Sequence, residues 1–168
     1  MDLRTPRLLL RELTADDAPF ILTLLNDPAW LRFIGDRGVR TVDAAVAYID
    51  KGPRASYARN GFGLNLVTLA DSGTPIGICG LIKRDSLPEP DLGFAFLPAY
   101  RSQGYAFEAA TAVRDFARNH VRLPSVLAIV DPANRPSIRL LEKLGFAFER
   151  MMTVPGDDHE VKLFAARL

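Results

Sequence analysis

The stretch LGFAFLPAYRSQGYA, Leu92 to Ala106, reads as a β-strand over Leu92–Leu97 that passes through a loop into a helix starting near Gly104. Such a junction is a place where backbone can bind phosphate. The first four amides of a helix have no intrahelical acceptor, the helix dipole adds partial positive charge, and glycine lets an anion approach closely. Gln103, Gly104 and Ala106 therefore form a candidate pyrophosphate cradle. Two other phosphate motifs do not fit. A Walker loop needs Lys-Ser or Lys-Thr after its last glycine, where this chain has Tyr105-Ala106. A dinucleotide fingerprint needs three spaced glycines and an acidic residue about twenty positions on, where Arg122 to Ser125 supply none.

The 168 residues, 48% hydrophobic and 24% charged, suit one compact domain spanning 1–168 with a full-sized core. No linker, repeat or low-complexity run divides them. The formal net charge is +1 with both signs interspersed, which argues against nucleic acid or an anionic membrane as partner. Cys79 is the only cysteine, so no intrachain disulfide can form, and a reducing compartment is expected. Met1 to Arg11 carries no signal-like apolar region, and no later run approaches membrane-spanning length. The expectation is a soluble cytoplasmic protein, monomeric or homodimeric.

Outward from the junction, Arg7–Leu13 reads as a first strand. Thr14 then caps a helix that buries Phe20, Ile21, Leu24 and Leu25 and ends near Asn26-Asp27-Pro28. Thr41 caps a second helix through Ile49, interrupted by Gly52-Pro53, with a short helical piece resuming over Ala55–Arg59. Phe62–Leu69 and Ile76–Ile82 form a hairpin. The helix from Gly104 runs to about Asn119, and Val126–Val130 is a short apolar strand of the central type. A helix follows over Arg135–Leu144 with Gly145 as its C-cap. Phe146–Val154 and Val161–Arg167 make a last hairpin. The order β-α-α-β-β-β-α-β-α-β-β predicts an α/β fold with a mixed, mostly antiparallel sheet and helices on both faces.

A second constellation is Asn134-Arg135-Pro136-Ser137, continuing to Leu141-Glu142-Lys143-Leu144-Gly145-Phe146. Positions three apart share a helix face, so Asn134 and Ser137 point together toward the mouth between the two central strands. With Arg101-x-x-Gly104-x-Ala106, the opening Thr5-Pro6-Arg7-Leu8-Leu9-Leu10-Arg11, Pro98-Ala99-Tyr100 and Lys143-Leu144-Gly145-Phe146, the chain resembles the GNAT superfamily of acyl-CoA-dependent N-acetyltransferases. Within it, the opening and the Asn-x-x-Ser segment look most like the branch of ribosomal-protein N-terminal acetyltransferases.

The resemblance implies acetyl-CoA as acetyl donor, no metal, and direct transfer to a primary amine such as a protein N-terminus. A non-catalytic acyl-CoA sensor and a small-molecule acetyltransferase are the alternatives. It implies a donor site built from Phe96, Leu97, Arg101, Gln103, Gly104, Tyr105, Ala106, Phe107, Asn134, Ser137 and Lys143, with the amide of Phe96 or Leu97 facing the oxyanion. Many members carry a tyrosine just before Glu-Lys-Leu-Gly-Phe as the acid for the departing thiolate. Here that position is Leu141, and Ser137 is the substitute. A hydrogen bond can suffice, because a thiol with a pKa of about 8.5 is a tolerable leaving group at neutral pH.

The base depends on the acceptor. Presenting an α-amine neutral at pH 7 costs about 1 kcal/mol, against about 4.6 for a lysine amine. Asp91 and Glu89 stand at the start of the central strand as candidate bases acting through water, or as exposed loop carboxylates, and Asp91 is carried as catalytic with Ser137 and Asn134. Trp30 and Phe33, after the first helix, lie where the family often binds acceptor, and core packing serves them equally well. Asn134 also fits a helix N-cap, and Lys143 a last helical turn. Cys79 reads as a small core hydrophobe, His120 as a surface residue, and His159 among Asp157, Asp158 and Glu160 as a solvated hairpin tip.

Overall fold

Adjacent residues of the central strands are buried on opposite sides: Val67 and Cys79 belong to one core, and their neighbours Leu66 and Ile78 to another. Side chains alternate along a strand, so this sheet must be covered on both faces. The computed structural model describes residues 2–168. In it, β1 (Leu3–Arg4), β2 (Leu8–Glu12), β3 (Leu64–Leu69), β4 (Pro75–Ile82), β5 (Asp91–Phe96), β6 (Ser125–Val130), β7 (Ala147–Thr153) and β8 (Glu160–Arg167) form one sheet in the order β1-β2-β3-β4-β5-β6-β8-β7. Helices α1 (Ala18–Leu25), α2 (Pro28–Phe33) and α3 (Val42–Ile49) cover one face, and α4 (Ala55–Asn60) follows them. On the other face lie α5 (Tyr105–Phe116) and α6 (Arg135–Lys143), with Ala109, Ala110, Val113 and Leu141 turned into the core.

The expected α/β class and mixed, mostly antiparallel sheet are present. Helix α2 was not anticipated, because Pro28 reads as a stop. Proline is also favoured in the first helical position, and the Asp27 carboxylate caps the new helix by accepting from the Ala29 N–H at 3.1 Å. The break expected at Gly52-Pro53 is instead a π turn, Asp50–Arg54, that carries α3 into α4 with Pro53 buried inside it. The α-helix expected to reach Asn119 ends at Phe116, and a second π turn, Ala117–Val121, follows. The short strand β1 was also missed, since two residues carry no readable period.

One pairing positions the site. Among the sheet's neighbours only β5 and β6 are parallel, and a single register pair, Asp91 with Leu127, joins them. The Leu127 N–H donates to the Pro90 carbonyl at 3.0 Å. Beyond that contact the two strands separate toward their C-terminal ends. Each then turns into a helix, so the N-termini of α5 and α6 flank the opening. Crevices beyond the carboxyl ends of parallel strands are where α/β sheets bind ligands.

Candidate functional site

The loop between β5 and α5 holds two left-handed residues, Ser102 with φ 61° and Gly104 with φ 84°. No acceptor among the described residues meets the backbone N–H groups of Ser102, Gln103, Gly104, Tyr105, Ala106 or Phe107; the first helical bond is Glu108 N–H to the Gly104 carbonyl, 3.0 Å. Six successive donors are thus left for a ligand, at the positive end of a twelve-residue helix. A Cβ on Gly104 would come within 3.2 Å of the Arg7 guanidinium, besides the strain of its positive φ.

Arg7 is the residue that sequence reasoning left out. Its guanidinium donates to the Gln103 carbonyl at 3.0 Å and to Glu108 Oε1 at 2.8 Å, and lies 4.3 Å from the Tyr105 ring centroid. The Arg7 amide and the Thr5 hydroxyl donate to the other Glu108 oxygen. Burial would raise the Glu108 carboxyl, but these donors outweigh it and hold Glu108 below its ordinary value. The opening Thr5-Pro6-Arg7 is therefore a strap across the β5–α5 loop. Its signal was the recurring opening itself, whose reach to a helix 101 residues away is tertiary.

A cavity of about 510 Å³ runs from this loop to the gap between the strands, lined by Gly104, Ala106, Phe107, Asn134, Ser137 and Lys143 among others. Arg101 lines it too, but its side chain is engaged within the protein. Nε donates to the Phe96 carbonyl at 3.0 Å, and the guanidinium holds Asp27 at 2.9 Å. Arg101 therefore pins the end of β5 to the cap of α2. Gln103 turns its side chain back onto the Ala99 carbonyl, 2.8 Å, and with Leu97 stays off the cavity wall. Leu97 is also excluded as oxyanion donor, because its N–H is given to the Ile76 carbonyl at 3.0 Å on the β4 side. Strand alternation turns the Phe96 N–H to the opposite edge, toward the gap. Lys143 Nζ sits 4.4 Å from the Phe107 centroid, and Arg139, one turn earlier on α6, joins it on the wall.

A second cavity of about 560 Å³ lies on the β6 and β8 side of the gap. The two share Trp30, Phe33, Ile34, Phe94, Asn134 and Ser137, so they join at the mouth of the gap. Asn134 does cap α6, with Oδ1 accepting from the Ser137 N–H at 3.3 Å, while its amide nitrogen has no acceptor among the described residues. Ser137 presents its hydroxyl beside it, and Leu141, 1% exposed, closes the wall where the family's tyrosine would stand. Trp30 is buried in the α1–α3 core and Phe33 is half-buried, so pocket lining and packing both apply.

Among the charged residues of the second cavity, Asp91 departs from the sequence expectation. Asp91 is not an exposed loop carboxylate: it is 1% exposed, and Arg84 Nε donates to its Oδ1 at 2.9 Å. Burial pushes its carboxyl above the usual range against the opposing pull of Arg84. His159 is exposed on its hairpin tip, as expected, but it has a partner there. Its Nε2 lies 2.6 Å from Oδ2 of Asp131, the residue that turns β6 into α6 and whose Oδ1 accepts the Ala133 N–H at 2.7 Å. Tyr48 joins this wall, and burial raises its phenol. Cys79 lies in the core, where burial pushes the thiol up and leaves it inert.

Residues 7–147 match the family described as "Acetyltransferase (GNAT) domain". A protein of Bacillus subtilis named "Uncharacterized N-acetyltransferase YnaD" is 29% identical over 149 residues, covering 89% of this chain and 84% of that protein. The acetyltransferase structure from Agrobacterium tumefaciens superposes with a TM-score of 0.85 at 27% identity, covering 100% of this chain and 95% of the other. RimL, a ribosomal L7/L12 α-N-protein acetyltransferase solved with coenzyme A, shares the fold with a TM-score of 0.83 at 15% identity, over 100% of this chain and 98% of its own.

Proposed function

This chain belongs to the GNAT acetyltransferase family, and from that premise we propose that it transfers acetyl from acetyl-CoA to the α-amine of a protein N-terminus within one ternary complex. The observation that carries this reading is the run of six partnerless amides opening onto a cavity that meets a second one at Asn134 and Ser137. Gln103, Gly104, Tyr105, Ala106 and Phe107 would hold the pyrophosphate through backbone N–H groups, with Lys143 and Arg139 available to the nucleotide's other phosphate. The thioester carbonyl would face the Phe96 amide, a donor aimed where the oxyanion develops. Ser137, with the free amide of Asn134 beside it, would hydrogen-bond the departing sulfur. Holding amine and thioester together supplies roughly 7 to 11 kcal/mol of the barrier, so no covalent enzyme intermediate is needed.

The acceptor reading is supported by the charge of the second cavity. Asp36, Asp91, Asp131 and Asp157 outnumber Arg37 and Arg84 there, a balance that favours a single ammonium group. Asp36, Asp91 and Asp131 are already paired, with Arg40, Arg84 and His159. That leaves too little free acidity for a polycation such as a polyamine or aminoglycoside. Trp30 and Phe33 would line the approach of the residues following the amine.

The test is thermal and enzymatic. Acetyl-CoA should raise the melting temperature, and Gly104→Glu should abolish that rise while leaving the ligand-free protein folded; an unchanged rise would remove the phosphate site from this loop. Free-thiol release with N-terminal peptides, polyamines and aminoglycosides then identifies the acceptor class. Binding without turnover on any amine would mark a sensor instead.

A further inference from the structure

We infer that His159, oriented by Asp131, is the group that takes the proton from the acceptor amine. This inference rests on the acetyl-transfer reading above. Deprotonation needs a group on the acceptor wall that is ready to gain a proton near neutral pH, and the other titratable side chains on that wall are poorly suited. Asp91 is buried against Arg84, and protonating it would strip a guanidinium of its counter-charge inside the protein. Tyr48 holds its proton more tightly than an ordinary phenol, because burial disfavours the phenolate. Asp36 is tied to Arg40, and Asp157 accepts the His159 backbone N–H at 2.9 Å.

His159 lines the same cavity as Ser137 and Asn134. Imidazole is the side chain whose unperturbed charge change falls between about pH 5 and 8. Nε2 is held by Asp131 at 2.6 Å, and the carboxylate is itself fixed by the Ala133 amide. That contact places the neutral ring's proton on Nε2 and leaves the lone pair on Nδ1 to accept another. The charged groups around the ring are Asp131 from the β6–α6 turn, Asp157, Asp158 and Glu160 of its own hairpin, and Arg84, Asp91, Asp36 and Arg37 across the cavity.

The step balances. The acceptor ammonium gives one proton to His159 Nδ1, and the neutral amine attacks the thioester carbon, forming the C–N bond and an oxyanion. Collapse restores the carbonyl and breaks the C–S bond, the second amine proton goes to the sulfur, and His159 returns the first to solvent. The products are the N-acetyl amide and free coenzyme A thiol. An imidazole base suits an α-amine with a pKa near 8 better than a lysine amine near 10.4.

The experiment measures kcat/KM for a short peptide with a free α-amine, at saturating acetyl-CoA, from about pH 5.5 to 9. The chain has two histidines, so His120→Gln serves as control. His159→Gln is expected to lose about 10²-fold in kcat/KM and to lose the acid limb of the profile, while keeping the acetyl-CoA melting shift that reports an intact fold. Added imidazole should partly restore His159→Gly. Asp131→Asn should lower the rate about tenfold, since the ring loses the carboxylate that orients it. Wild-type rate and profile in His159→Gln would overturn the inference and leave the acetyl-transfer reading standing. Absence of turnover by the wild type on every amine would overturn both.

Discussion

Ser137 sits where two requirements meet: its backbone N–H completes the cap of α6 by donating to Asn134, and its hydroxyl borders both cavities. The cap bond uses the main chain, so removing the hydroxyl leaves the helix start intact. Ser137→Ala is therefore expected to lower kcat by about tenfold, the worth of one hydrogen bond of about 1.4 kcal/mol, with little change in acetyl-CoA affinity or melting temperature. Steady-state kinetics beside a melting titration separate the two, and equal turnover would remove the role. Leu141 was readable as a departure from the family pattern, because it stands in a motif with fixed neighbours. The partner of His159 was not readable, because it is 28 positions away and belongs to another turn.

At the scale of elements, α2 is tied to the donor loop through one arginine. Asp27 caps α2 through the Ala29 amide, and the same carboxylate oxygen holds Arg101, whose Nε grips the end of β5. Arg101→Ala leaves Asp27, 9% exposed, without its counter-charge and frees α2 with Trp30 and Phe33. The expected cost is about 1–3 kcal/mol in stability, with a rise in acceptor KM larger than any change in acetyl-CoA affinity. Arg101→Lys should not rescue it, since an ammonium cannot span both partners as the planar fork does. Denaturant unfolding and the two separate KM values check this. Pro28 and Pro53 show why elements were partly illegible: local rules give proline as a stop, whereas a first-turn position and a π turn each accommodate it.

Across the whole molecule, among the described residues, two ion pairs from the N-terminal strand segment carry a pH signature. Arg7 with Glu108 straps β2's entry to α5, and Arg11 holds Asp17 at the start of the α1 region through two 2.9 Å contacts. Burial pushes both carboxyls up, yet their donors prevail and keep each below its ordinary value, 4.5 for Glu108 and 3.8 for Asp17. A depressed folded value means the folded state binds fewer protons there. The stabilisation is thus present above those ordinary values and is lost as the pH falls through the lower folded ones. Melting temperature should decline below about pH 4.5, and a Glu108→Gln, Asp17→Asn variant should be less stable at pH 7 with a flatter acid limb. A parallel decline in both proteins would assign acid unfolding to other groups.

Alternation in β3 and β4, the glycine at the head of α5 and the Asn-x-x-Ser start of α6 depend on neighbours within a turn or a pleat, so the α/β sandwich and the place of the β5–α5 loop follow from the amino-acid order alone. Which donors are free does not. That Leu97 spends its amide on Ile76, that Arg101 is held by Asp27, that Arg7 crosses the loop, that Asp91 is buried and that His159 meets Asp131 are outcomes of packing between distant segments. Short-range preferences act over a few residues, while these contacts span up to 101 positions, and only the folded sheet with its one splayed parallel pair brings them together.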